Sequence, residues 1–109
     1  MSIVNDLSLV VREPLVLKFS EENTFTIPVD PTLELTYKMV DFQDKAKNAE
    51  TEKEQIDLLL DMVILILNQD ESKDIDKEFL FKNKISMSQL QAVVQLYQDQ
   101  ILKNNNNPN

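Results

Sequence analysis

Apolar and polar residues alternate with period two near the start of this chain, then change to helical spacing. Leu7, Leu9 and Val11 alternate with Ser8, Val10 and Arg12, and Leu15, Leu17 and Phe19 alternate with Val16, Lys18 and Ser20. Period two places each apolar set on one face of a strand. Pro14 separates the two runs, a residue that sheets confine to edges and strand starts. Glu21-Glu22-Asn23 reads as a polar turn, with Asn23 the residue best able to take a positive φ there. Phe25 and Ile27 then share one face of Thr24–Ile27. Residues 7–28 are therefore predicted to form a β-hairpin region, with a third strand if Leu7–Val11 pairs as well.

Beyond residue 30 the period becomes helical. A first helix is expected to begin at Asp30-Pro31, with Asp as the cap and Pro at the first helical position. Its apolar stripe reads as Leu33, Tyr37, Val40 and Ala46, widened by Met39 and Phe42, and it ends near Asn48. Thr51 followed by Glu54 is a capping box that opens a second helix. From Ile56 to Leu67 nearly every position is apolar, apart from Asp57 and Asp61. A helix apolar nearly all round needs cover on more than one face, which makes this one the expected centre of the fold. The β-branched Val63, Ile64 and Ile66 leave a buried strand over Met62–Leu67 as the rival reading. Ile75 and Phe79, with Leu80 and Phe81, mark a short helix ended by Lys82-Asn83-Lys84. Ser86 and Gln89 form a second capping box, and Leu90, Val93, Val94, Tyr97 and Ile101 follow at amphipathic spacing. Asn104 to Asn109 is an Asn-rich tail expected to be disordered. The fold class is thus α+β, a hairpin beside a small bundle of three to four helices in a single globular domain over residues 1–103.

Composition narrows the chemistry. The 109 residues include no Gly, His, Cys or Trp. The commonest general base and metal ligand is missing, and so are thiolate chemistry and the Gly-rich phosphate loop. That inventory suits binding or assembly rather than catalysis, so no enzyme activity, catalytic residue, cofactor or metal site is expected. The formal charge is −8, which opposes contact with a nucleic-acid backbone or an anionic membrane surface. The charge is spread along the sequence, as expected of a solvated surface. The N-terminus lacks a basic region followed by an apolar run, and the stretch Leu58–Leu67 is too short to span a membrane. A cytoplasmic protein is the expectation.

Two constellations invite a closer look. Asn68, Asp70, Ser72, Asp74 and Asp76 space oxygen atoms as a calcium loop does, but Lys73 stands where Gly is needed and Phe79 where a bidentate Glu is needed. A solvated loop is the better reading. Asp57 and Asp61 share a helix face, and read as a polar seam rather than an acid–base pair.

The order of elements resembles a known family. Leu17-Lys18-Phe19, then Asn23-Thr24-Phe25-Thr26-Ile27-Pro28, lead into a helix. The acidic capped helix Glu54-Gln55-Ile56-Asp57-Leu58-Leu59 follows, then Asp76-Lys77-Glu78-Phe79-Leu80, and a last helix through Leu90-Gln91-Ala92-Val93-Val94. Over residues 15–102 this resembles the tail assembly chaperones of long-tailed bacteriophages and prophages. The resemblance implies a hairpin beside a helical bundle, and binding of the tape-measure protein to keep it soluble during tail assembly. It also implies a longer frameshifted form, which would bring contact with the tail tube protein; a slippery run at Lys103-Asn104 would encode it. Self-association is a further expectation. Partner contact is expected at Leu59, Val63 and Ile66 of the second helix and at Leu90, Val94, Tyr97 and Ile101 of the last. The alternative is a small structural phage protein, such as a head–tail completion or minor virion component.

Overall fold

The structure, a computed structural model, describes residues 13–105, with side chains as far as Lys103. The expected strand at Leu7–Val11 lies outside the described residues. Two strands, β1 (Leu15–Lys18) and β2 (Thr24–Ile27), pair antiparallel with Leu17 opposite Phe25. Leu17, Phe25 and Ile27 are buried and Val16 and Thr26 face out, as the alternation predicts. The connection closes with the Phe19 amide donating to the Asn23 carbonyl at 2.9 Å, and Lys18 reaches Glu21 at 2.7 Å. Asn23 does not take the positive φ expected of it. Among the described residues, Lys84 is the one that does, at φ 55°.

Four helices follow: α1 (Leu33–Lys47), α2 (Glu52–Leu67), α3 (Lys77–Lys82) and α4 (Met87–Asn105). Helix α1 starts later than its sequence suggests. Thr32, not Asp30, is the cap, because its hydroxyl accepts from the Leu35 amide at 3.2 Å. Met62–Leu67 is helix rather than strand, lying within the single run of α2. The Thr51 hydroxyl accepts from the Glu54 amide at 3.1 Å, while the Glu54 carboxylate reaches one residue further back, to the Glu50 amide, at 3.0 Å. At α4 the capping box is reciprocal: Ser86 Oγ accepts from the Gln89 amide, and Gln89 Oε1 accepts from the Ser86 amide. The helix continues through Asn105, two residues into the Asn-rich tail; residues 106–109 lie outside the described part.

Helix α2 is the hub. Its backbone approaches α1, α3, α4 and β2, while α4 also lies against β1. Val63, Ile66 and Leu67 are fully enclosed, and Phe25, Ile27, Leu80 and Tyr97 close the same core from the hairpin, α3 and α4. Phe25 meets Phe19 and Phe79 edge-on, with ring centres 5.8 and 6.0 Å away, and Lys73 Nζ lies 5.7 Å from its ring centre. These geometries favour the ring quadrupole.

The connection from α2 to α3 is organised by side chains. Asn68 accepts from the Ile75 amide at 2.8 Å and donates to the Ile75 carbonyl at 3.0 Å, clamping both ends of the loop. Asp70 accepts from the amide and hydroxyl of Ser72 with one oxygen, and from the Thr26 amide of β2 with the other. It therefore fastens the loop to the hairpin edge that faces away from β1.

Candidate binding surface

Helix α1 carries two apolar stripes. Leu35, Met39 and Phe42 repeat at i, i+4 and i+7, and so do Leu33, Tyr37 and Val40. At 100° per residue the two stripes fall on opposite sides of the helix. The first turns inward: Leu35 and Met39 are buried and Phe42 is half-buried. The second stands in solvent, with Leu33 80%, Tyr37 76% and Val40 50% exposed. The stripe expected to face the core is thus the outer one, and Ala46 is exposed too. Packing decided between them: Val29, Leu35 and Met39 complete the core that α2 presents, which leaves nothing for Leu33 and Tyr37 to cover.

The residues expected at a partner surface take other positions. Val63, Ile66, Leu90 and Tyr97 are core residues, at most 4% exposed, and the expectation that they are exposed is corrected. Leu59, Val94 and Ile101 are half-buried and packed against the same core. These residues form the amphipathic faces of α2 and α4, and those faces are spent on each other and on the hairpin. Four of the seven thus lie in the interior, and the other three pack at its edge.

A groove runs beside the α1 stripe, along the seam between α1 and α2. The two helices form an antiparallel hairpin, since the start of α1 and the end of α2 line one recess while the end of α1 and the start of α2 line another. Three recesses, of about 390, 410 and 560 Å³, follow one another along the seam. Lys38, Leu65 and Asn68 border both the first and the second, and Asp41, Lys45 and Asp61 border both the second and the third. Half-buried Phe42, Leu58, Ile64 and Leu65 give the groove an apolar floor.

The α1 rim alternates in sign. Lys38 pairs with Glu34 at 3.4 Å and Lys45 with Asp41 at 3.1 Å. The α2 rim is acidic, with Glu54, Asp57 and Asp61, and Asp44 adds a carboxylate from the α1 side of the same recess. Lys77 reaches Asp61 at 3.6 Å, whereas Asp44 and Asp57 form no ion pair among the described residues. The Asp57–Asp61 seam is therefore one wall of this groove. Sequence reasoning had the pair but not the wall opposite, because the charge is spread along the chain and only the helix pairing gathers it.

The oxygen-rich connection has structural tasks. The Ser72 hydroxyl, and next the Thr26 amide, hold the Asp70 carboxyl below its ordinary value, against a smaller opposing effect of burial. The Asp76 carboxylate caps α3 by accepting from the Phe79 amide. Among the described residues, no three His, Cys, Asp or Glu side chains are grouped to hold a metal ion. Tyr97 donates its hydroxyl to Gln69 Oε1 at 3.2 Å, and burial pushes its pKa up. No helix of the described residues is long and apolar enough to cross a membrane. In comparisons with known proteins, no family model matches this sequence, and neither a curated protein nor a solved structure matches it.

Proposed function

We propose that this chain is a non-enzymatic phage tail assembly chaperone that holds amphipathic helices of the tape-measure protein in the bacterial cytoplasm. The observation that carries the reading is the second apolar stripe of α1, Leu33, Tyr37 and Val40, which the fold leaves uncovered. Singly exposed apolar residues are ordinary on a protein surface, but a row of three at helical spacing is the pattern by which one helix docks on another. The order of hairpin, α1, α2, α3 and α4 also follows the order that the resemblance to these chaperones implies.

Co-expression with a phage tape-measure protein tests the reading. The wild-type chain is expected to keep that long protein in the supernatant and to co-elute with it. Leu33→Asp and Tyr37→Asp should abolish this while leaving the circular dichroism of the chain unchanged. Undiminished solubilisation by both variants would sink the assignment of the stripe. A fixed copy number in purified virions would move the reading to a structural virion component.

A further inference from the structure

We propose that the groove between α1 and α2 receives an amphipathic helix whose flanks are basic. The proposal rests on reading the chain as a helix-binding protein, and it names the chemistry of the partner segment. The floor of Phe42, Leu58, Ile64 and Leu65 offers apolar contact along the seam. Helix α1 has 15 residues, so the seam is about 22 Å long, enough for about four turns of a docked helix.

Charge selects the occupant. The lysines of the α1 rim are already engaged by Glu34 and Asp41. Asp44 on the α1 side and Asp57 on the α2 side flank the recess at the end of α1, and neither forms an ion pair among the described residues. A helix entering with acidic flanks would meet repulsion at that end of the groove. One with Lys or Arg flanks would supply the missing counter-charges over an apolar floor that excludes part of the water. The groove is a different surface from the Leu33–Tyr37–Val40 stripe, so the two can fail separately.

The test uses the full chain and two synthetic peptides of about 20 residues with the same Leu/Ala stripe, one with Lys flanks and one with Glu flanks. The Lys peptide is expected to bind one to one, to shift the NMR signals of Leu58, Ile64 and Leu65, and to weaken as salt is raised. Asp44→Asn with Asp57→Asn should weaken it about tenfold or more. Glu22→Gln with Glu78→Gln, which removes the same charge elsewhere, should change it less than about twofold. Equal weakening by both pairs would mean diffuse charge attraction and overturn the proposal, as would equal binding of the Glu peptide or no binding of either. Loss of tape-measure solubilisation in Tyr37→Asp, with peptide binding indifferent to Asp44→Asn and Asp57→Asn, would leave the chaperone reading standing and remove this one.

Discussion

Single residues in this chain do work that Gly does elsewhere. Helix α3 ends in a Schellman-type motif: the Ile85 amide donates to the Leu80 carbonyl at 3.0 Å and the Lys84 amide to the Phe81 carbonyl at 3.1 Å. The motif needs a left-handed residue, and Lys84 supplies it at φ 55° with a Cβ that disfavours the conformation. Lys84→Gly is therefore expected to stabilise the fold by about 1 kcal/mol, read from the midpoint of urea unfolding. Asp70 gives a second prediction. Its carboxyl is held below the ordinary value, so its contribution is present above the unfolded-state pKa and is lost as pH falls through the folded-state value. In acid titrations of stability, Asp70→Asn should flatten the limb below about pH 4. Equal limbs in both proteins would show that the Ser72 and Thr26 bonds contribute no coupling. Neither role was legible in the sequence. Without Gly, several polar residues compete for the left-handed position, and the partner of Asp70 lies 44 positions away on β2.

At the scale of elements, the sequence was most informative where one face alone could be buried. The hairpin alternation, the Ser86 box and the α4 stripe all reappear, because each offers a single apolar face and a local start signal. Helix α1 was ambiguous for the opposite reason. Leu33–Tyr37–Val40 and Leu35–Met39–Phe42 have identical spacing, and no local rule ranks them. The two stripes predict opposite behaviour in denaturation. Leu35→Ala or Met39→Ala should cost about 2–4 kcal/mol, as expected for truncated core side chains. Leu33→Ala or Tyr37→Ala should stay within about 0.5 kcal/mol of wild type. A large cost for the second pair would place that stripe inside the folded protein. The groove was illegible for a related reason: its two walls face each other only once α1 and α2 pair antiparallel.

At the scale of the whole molecule, the core converges on α2, and Tyr97 ties α4 to the turn that follows α2, through Gln69. Burial raises the Tyr97 pKa, so this contribution is intact below the unfolded value near pH 10 and is lost as pH rises through the folded value. Tyr97→Phe should lessen the alkaline fall in stability that thermal melting is expected to read above about pH 10. Helix α1 stands apart from this convergence, since among the described elements its backbone approaches only α2. Its release would surrender Leu35, Met39 and Phe42 and leave the hairpin, α2, α3 and α4 in contact. The amides of α1 should therefore exchange with solvent deuterium through a partial opening, well before those of α2 and α4. Uniform exchange across all the helices would instead mark one cooperative unit. Residues 48–51 join α1 to α2, so a ligand seated between the two helices should register as slower exchange along the length of α1.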